Sequence, residues 1–228
     1  MKEFIGNGIY SISEAAFLLK VKPRQVARAL RGYRTTSDRN ERFHDPLINA
    51  DYGEFEGHFY LSFHDLIEIR FLLAFRKYGI SWQKIRKAAI KASDIANSSH
   101  PFCTKEFFTD GSTILTQYAR DEGESELLDL LSDQFEADKI FEPYLHHEFE
   151  YSEDNLVNKW HPKAGDGAVV LNPKIQFGQP IIEASGLPTR PLFDLFKAEN
   201  SYKRVAYLFE CSVDDVKGAV KFEQSFAA

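Results

Sequence analysis

Apolar residues recur every three to four positions near the start of the chain, which predicts short amphipathic helices. Ser11 stands before an apolar stripe over residues 12–19 and is a residue type that caps helix N-termini. Pro23 suits a first helical position, so a second helix is predicted over residues 23–31, ended by Gly32. Because Val26 and Leu30 are four residues apart, we expect both to face inward and the polar side chains to face solvent.

The pattern changes several times further along the chain. Turn residues and short extended pieces occupy 33–60, and two longer helices are predicted over 66–78 and 83–96. A hairpin is predicted at 107–115 around an Asp-Gly turn, an amphipathic helix at 127–135 and a second hairpin at 149–160. From residue 168 a short strand precedes a loop rich in Pro and Gly and three short helices, over 190–198, 201–209 and 213–222.

These elements predict a mainly α fold with short β-hairpins, of the α+β class. We expect three segments. Residues 1–97 would form a winged helix-turn-helix domain, residues 98–167 an acidic connector of hairpins and a helix, and residues 168–228 a small domain of three helices with a helix-turn-helix shape.

Charge is distributed unevenly over the 228 residues, which the net charge of −6 conceals. Residues 1–92 contain 16 Lys and Arg against 10 Asp and Glu, whereas residues 93–167 contain 5 against 17. The last segment is balanced, with 7 of each sign. A basic first part followed by an acidic middle suggests two kinds of partner, although uneven surface charge without consequence is the alternative interpretation.

Several classes of protein are disfavoured by what the sequence contains. No stretch reaches the roughly 18 apolar residues of a membrane helix, and residues 1–8 lack the apolar run of a signal peptide. We therefore expect a cytoplasmic protein. Cys103 and Cys211 are far apart and outside any CxxC pattern, which argues against a disulfide framework or a cysteine zinc site.

The first two predicted helices form the pattern of a helix-turn-helix, in which the second helix enters the major groove of DNA. Arginine and glutamine can make paired hydrogen bonds to purine edges, while further cations hold phosphates. The predicted base-reading residues are Arg24, Gln25 and Arg28. The predicted phosphate or minor-groove contacts are Lys22, Arg31, Arg34, Arg39 and Arg42. A solvated, arginine-rich helix in a protein-binding module is the alternative.

Residues 9–92 resemble the MerR-type winged-helix domain in the order of their parts, on segments 10–16, 21–28, 57–60, 65–66 and 78–85. In that family the wing ends in an aromatic residue, which implies DNA contacts for His58 and Tyr60. The wing here is longer than usual, and the family's dimerising coiled coil and effector cysteines are absent from the sequence.

The C-terminal segment resembles a small helical domain often found beside PIN-type ribonuclease toxins. The matching segments are 169–182, 185–190, 202–206 and 216–223, preceded by 109–111 and 159–162. With the MerR-like part, this is similar to a VapB-type antitoxin. Asp214 and Asp215 at the start of the last helix would repel phosphate, so we assign this segment to dimerisation and partner contact. The predicted partner-binding residues are Phe177, Gln179, Arg190, Lys203 and Arg204.

A metal site and a catalytic site are both set aside. His146, His147, Glu148, Glu150 and His161 could be drawn as metal ligands. Adjacent histidines on a strand point to opposite faces, however, so His146 and His147 could not easily share one ion. The sequence shows no Ser-His-Asp pattern and no paired carboxylates of the kind that form catalytic sites. We expect no cofactor, no bound metal and no enzymatic activity.

The resulting hypothesis is a homodimeric antitoxin that binds a PIN-type toxin and represses its own operon by binding operator DNA. PIN nucleases hold Mg²⁺ with acidic residues, so an inserted cation such as Arg190, Lys203 or Arg204 could block one. The two alternatives are a transcriptional regulator without a toxin and a protein-interaction module that does not bind DNA.

Overall fold

The fold is α+β, with seven α-helices and nine short strands in the part of the chain that the computed structural model describes. The described residues are 5–37, 40–77, 79–105, 107, 115–116, 119–120, 123, 125, 148–162 and 167–225. The strands are β1 (Tyr10–Ser11), β2 (Tyr33–Ser37), β3 (Asn40–His44), β4 (Gly53–Phe55), β5 (His58–Leu61), β6 (Phe149–Tyr151), β7 (Val157–Trp160), β8 (Val169–Leu171) and β9 (Pro180–Ile182). The helices are α1 (Ile12–Leu19), α2 (Pro23–Arg31), α3 (Phe63–Lys77), α4 (Trp82–Ala96), α5 (Thr189–Glu199), α6 (Tyr202–Leu208) and α7 (Val213–Gln224).

Two compact units make up the chain. The larger unit consists of Tyr10–His146 and Tyr151–Val157, and the smaller unit of Met1–Ile9, His147–Glu150 and Asn158–Ala228. The predicted three-segment division, with boundaries at 97 and 167, stays a prediction.

In the larger unit, the first two helices begin where their sequences predict. The Ser11 hydroxyl accepts a hydrogen bond from the Glu14 amide at 3.2 Å, and the Glu14 carboxylate accepts one from the Ser11 amide at 2.8 Å. Lys20 ends α1 in the left-handed conformation, and Pro23 opens α2. Val26 and Leu30 are buried, as the four-residue spacing predicted.

Two antiparallel ribbons follow α2. β2 pairs with β3 along five residues, from Tyr33 opposite His44 to Ser37 opposite Asn40. β4 pairs with β5, and β5 in turn pairs with β1, which gives a three-stranded sheet in the order β1-β5-β4. The predicted short extended pieces of residues 33–60 are therefore two separate hairpins.

The next two helices supply most of the core of the larger unit. Helix α3 begins at Phe63, three residues before the predicted start, because Ser62 and Asp65 cap each other's backbone amides. Phe71 packs against the rings of Phe102 and Phe107, with centroids 4.4 and 4.9 Å away. This aromatic cluster joins α3 to the 3₁₀ turn Pro101–Cys103.

Most residues of a sheet in the order β6-β7-β8-β9 belong to the smaller unit, and its three helices α5, α6 and α7 pack on one another. β9 lies within the segment that the sequence predicted to be a loop. Pro180 lacks an amide hydrogen and stands first in this strand, while Ile181 and Ile182 are buried beside β8. The three C-terminal helices confirm the predicted ones, with ends that differ by one or two residues.

Two predictions for the acidic residues 98–167 concern segments that the structure describes only in part. Phe107 and Leu115, the ends of the predicted first hairpin, are helical, so those positions were predicted wrongly. The residues between them and the predicted helix at 127–135 lie outside the described residues. The second predicted hairpin is confirmed as β6 and β7, and the Ser152 amide donates to the Leu156 carbonyl at its turn.

Candidate nucleic-acid interface

Helix α2 has one apolar and one cationic face. Val26, Ala29 and Leu30 are buried, whereas Arg24 and Arg31 are exposed. The 3.6-residue period separates the two sets, because residues three and four apart share a face. The same helix therefore packs on α1 and presents cations to solvent.

The cations of α2 border an open groove of about 720 Å³ in the larger unit. Helix α2, the start of β2, the last turn of α3 and the first residue of α4 form its walls. Every charged residue that lines it is a cation: Lys22, Arg24, Arg28, Arg31, Arg34 and Arg76. Gln25, Ala27, Gly32, Tyr33 and Trp82 complete the lining. Like charges placed this close together produce a strongly positive potential inside a concave surface.

Arg28 is held in place by aromatic rings. Its guanidinium carbon lies 3.4 Å from the centroid of the Tyr33 ring and 5.4 Å from that of Trp82. Tyr33 in turn stacks on His44, with ring centroids 4.4 Å apart. Arg28 Nε is buried and has no hydrogen-bond partner among the described residues, so stacking provides the guanidinium's principal contacts.

Two further predicted residues of α2 have internal contacts. The Gln25 side-chain oxygen accepts a hydrogen bond from the Lys22 amide at 3.2 Å and thereby caps the helix. The guanidinium carbon of Arg31 lies 5.3 Å from the centroid of the Phe59 ring on β5. This contact links the end of α2 to the second ribbon.

The first ribbon carries cations on both of its sides. Arg34 lines the groove and forms an exposed ion pair with Glu41 at 3.2 Å. Arg42, directly opposite Thr35, lines a neighbouring groove together with Arg86 and Lys87. Arg86 pairs with Asp45 at 2.8 Å, which reduces the positive charge of that second groove.

The remaining predicted DNA-binding residues lie elsewhere. His58 and Tyr60 are on the same side of β5, with ring centroids 6.4 Å apart, and line neither groove. Arg39 lies outside the described residues. The structure therefore brings together six of the ten predicted residues, namely Lys22, Arg24, Gln25, Arg28, Arg31 and Arg34.

Three charged or aromatic residues that line the groove were missed by sequence reasoning: Arg76, Trp82 and Tyr33. Arg76 is in the last turn of α3 and donates to the carbonyl of Ile80 at 2.9 Å. Its guanidinium carbon is 5.9 Å from the Trp82 ring centroid. A cation in the last turn of a helix is a common feature, so the sequence alone does not distinguish Arg76 from its neighbour Lys77.

In the smaller unit, the predicted partner-binding residues are exposed. Phe177 has 58% of its surface exposed and a φ of 54°, and its carbonyl accepts a hydrogen bond from the Ile9 amide at 2.9 Å. Gln179 follows two residues later and is also exposed. Phe177 therefore combines an exposed aromatic ring with a left-handed backbone conformation, which residues other than glycine adopt uncommonly.

The three predicted cations of this unit differ in their contacts. Arg190 pairs with Asp194 at 3.0 Å and lies 3.6 Å from the buried Glu223, and these carboxylates raise the pKa of Arg190. Arg204 pairs with Glu199 at 2.9 Å. Lys203 is exposed and forms no ion pair with any residue that the structure describes.

The possible metal ligands around Glu150 and His161 differ from the set that the sequence suggested. Glu150 and His161 are 2.8 Å apart and meet Glu183, whereas His146 and His147 lie outside the described residues. Lys159 pairs with Glu150 at 2.9 Å and lowers the pKa of that carboxyl. The Lys159 ammonium group, which also lies 3.5 Å from Glu183, thus occupies part of this cluster.

No helix in the described part of the chain combines the length and the apolar character needed to cross a membrane.

Comparison with known proteins gives two informative similarities. No protein-family model matches the chain. A protein of Mycobacterium tuberculosis strain H37Rv named "Putative antitoxin VapB45" is 28% identical over 223 residues, which cover 93% of this chain and 92% of the relative. The X-ray crystal structure of Rv2018 from Mycobacterium tuberculosis superposes with a TM-score of 0.72 at 24% identity, over 93% of this chain and 96% of the other. The second similarity indicates a shared fold.

Proposed function

We propose that this chain is a cytoplasmic antitoxin that binds operator DNA through the larger unit and a PIN-type ribonuclease toxin through its C-terminal part. The antitoxin role is supported by the name of the relative from Mycobacterium tuberculosis, which aligns along almost the whole chain. Operator binding would repress the chain's own operon. A homodimer would match the two half-sites of a repeated operator.

DNA binding rests on one observation above all, the groove whose charged lining residues are all cations. Phosphate oxygens are the most abundant anions that such a surface meets on a duplex, and their binding releases condensed counterions. The groove runs along α2, which is the second helix of a helix-turn-helix and therefore the element that enters the major groove. Residues 9–92 are proposed to form a MerR-like winged domain, in which the ribbons β2–β3 and β4–β5 act as the wing.

Within this proposal the cations have different roles. Arg24 is exposed on the first turn of α2, where recognition helices contact base edges, and reads a guanine. Lys22, which precedes Arg24 in the chain, and Arg31 and Arg34, which follow it, hold phosphates. Arg28 is stacked between rings, which presents its guanidinium in one orientation. Arg42, His58 and Tyr60 extend the contact along the two ribbons.

Fluorescence anisotropy with a labelled duplex from the operon's own promoter tests this function. We expect log Kd to depend linearly on log salt concentration. If four groove cations, Lys22, Arg31, Arg34 and Arg76, reach phosphates, the slope of the log association constant against log salt concentration is about −3.6. Arg24→Ala should lower affinity for the operator more than for a scrambled duplex, by about 1–3 kcal/mol of discrimination. Arg31→Ala should weaken both duplexes equally.

Lys203→Ala is the matched control, because it removes an exposed cation from the smaller unit. It should leave the affinity for both duplexes unchanged. Salt-independent binding, or equal losses from Arg24→Ala and Lys203→Ala, would exclude a DNA-binding role for the groove. The chain would then be a protein-interaction module.

Toxin binding is assigned to the C-terminal part because Phe177, Gln179 and Lys203 are exposed there. An exposed apolar ring and an exposed cation on the same unit would complement an acidic active site with an apolar rim. Lys203 is the first candidate to enter such a site, since Arg190 and Arg204 are paired with carboxylates of their own unit.

Affinity purification from the native host, followed by mass spectrometry, tests the partner. A PIN-like nuclease in near-equal amount would support the antitoxin role, and its release by Phe177→Ala with Lys203→Glu would support this surface. Recovery of the bait with DNA and without a nuclease would leave a transcriptional regulator that acts without a toxin.

A further inference from the structure

Three potential metal ligands converge in the larger unit, close to the start of α3. Asp51 Oδ1 lies 3.2 Å from His100 Nε2, and Asp65 offers a carboxylate oxygen to the same place. One ligand atom from each of these three residues lies within 4.8 Å of the other two. The residues are far apart in the sequence, so the fold alone creates this juxtaposition.

One buried carboxylate oxygen in this cluster lacks a hydrogen-bond partner in the described part of the chain. Asp65 Oδ2 accepts hydrogen bonds from the amides of Asp51 and Ser62, at 3.0 and 2.9 Å. Asp65 Oδ1 is buried and has no hydrogen-bond partner among the described residues. The Asp65 residue is fully buried. A buried acceptor without a partner destabilises the folded protein, and more so when the group is charged.

Two further titratable side chains, Glu68 and His64, lie beside this cluster. Glu68 is near Asp65 and His100. It is 1% exposed and accepts a hydrogen bond from the Phe102 amide at 2.8 Å. His64 lies beside His100, with ring centroids 5.4 Å apart, and its Nε2 lies 2.9 Å from the Val157 carbonyl.

We propose that Asp51, Asp65 and His100 bind a divalent transition-metal ion, with Zn²⁺ the preferred one. Two carboxylates and an imidazole are ligands of the type that Zn²⁺ accepts, at metal–ligand distances of about 2.0–2.2 Å. Tetrahedral bonds of that length place neighbouring ligand atoms about 3.3 Å apart. The 3.2 Å between Asp51 and His100 already meets this requirement. The Asp51 side chain is 40% exposed, which provides an entry path and room for a water as fourth ligand.

Isothermal titration calorimetry of the tag-free full chain, treated with a chelator and then titrated with ZnCl₂, tests the proposal. We expect one equivalent to bind in the wild type. Asp65→Asn and His100→Gln should each lower the affinity by about tenfold or more, since the loss of an outer partner alone costs 10–100-fold. Bound Co²⁺ should give visible absorption bands of a tetrahedral site, and these variants should lose them.

Control variants separate this site from general surface binding. His161→Gln alters the second acid–histidine cluster, with Glu150 and Glu183, and should leave the first equivalent unchanged. Circular dichroism would reveal whether Asp65→Asn unfolds the protein. Asp51→Asn changes a partly exposed ligand, so it provides a folded variant in that case. The proposal is overturned if the wild type binds no equivalent of Zn²⁺, or if Asp51→Asn binds it as tightly as the wild type.

Discussion

The guanidinium carbon of Arg28 lies 3.4 Å from the centre of the Tyr33 ring, so a cation–π contact joins α2 to β2 across Gly32. Tyr33 is stacked on His44 at the far end of the paired strand. Helix, turn and ribbon are therefore connected by one column of side chains. This column holds the groove wall in shape, because each member limits the orientations of the next.

Replacing Tyr33 tests this column. Tyr33→Leu should reduce stability by about 0.5–2 kcal/mol through loss of the cation–π contact, whereas Tyr33→Phe should retain most of it. Urea denaturation of the two variants, alone and combined with Arg28→Ala, measures the coupling energy. Equal effects of Tyr33→Leu in the presence and absence of Arg28 would contradict a direct interaction.

Local signals in the sequence predicted the helix pair correctly, while the groove depends on distant residues. Ser11, Pro23 and Gly32 act on their immediate neighbours, so the limits of α1 and α2 could be predicted from spacing alone. Arg76 reaches the same groove from another helix, and no periodic pattern relates it to Arg24. Its position depends on the packing of α3, which a single sequence does not reveal.

Two other differences between the predicted and the observed elements have separate physical causes, one local and one due to strand pairing. The capping box of Ser62 and Asp65 lengthens α3, and its S-x-x-D pattern was available in the sequence. β9 could not be predicted in the same way, since three residues within a Pro- and Gly-rich segment give no period. Its pairing with β8 and the burial of Ile181 determine the strand.

Gly32 is expected to be intolerant of substitution. Its φ is +72°, and a Cβ there would lie 2.2 Å from the His44 carbonyl oxygen. Gly32→Ala should therefore destabilise the protein by well over 1 kcal/mol, because strain and a backbone clash act together. Gly57→Ala is the matched control, with a φ of +76° and no atom within 4 Å of the added carbon. Thermal unfolding should show the larger loss for Gly32→Ala, and equal losses would contradict the clash.

In the smaller unit, Thr189 and Glu223 form a buried hydrogen bond of 2.6 Å between α5 and α7. Thr189→Val keeps the shape but removes the donor, so we expect a loss of about 1–3 kcal/mol from the desolvated carboxylate. Thr189→Ser should retain more of the stability. Arg204→Ala breaks the exposed pair with Glu199 and should cost no more than about 1 kcal/mol. The denaturant midpoints of the three variants measure these losses. An unchanged midpoint for Thr189→Val would contradict a stabilising role of the Thr189–Glu223 hydrogen bond.

The two cysteines should differ in reactivity. Cys103 is fully buried, whereas Cys211 is partly exposed and has a pKa raised by burial and by Asp215. The thiolate is the reactive species, so Cys211 should react slowly at neutral pH and faster as the pH rises. A thiol reagent should therefore modify one cysteine in the native protein and two after denaturation. Cys211→Ser should abolish the native reaction, and a remaining fast phase would mean that Cys103 is accessible.

Arg76 and Lys77 offer the sharpest test of the groove, because they are adjacent cations on the same helix. Arg76 lines the groove, whereas Lys77 is exposed and does not line it. Arg76→Ala should weaken duplex binding and make the salt slope shallower by about 0.9, the contribution of one phosphate contact. Lys77→Ala removes the same charge and should leave the slope unchanged. Since Arg76 also donates to the Ile80 carbonyl, circular dichroism must show both variants folded. Equal slopes for the two variants would mean that net charge, and not the groove, determines binding.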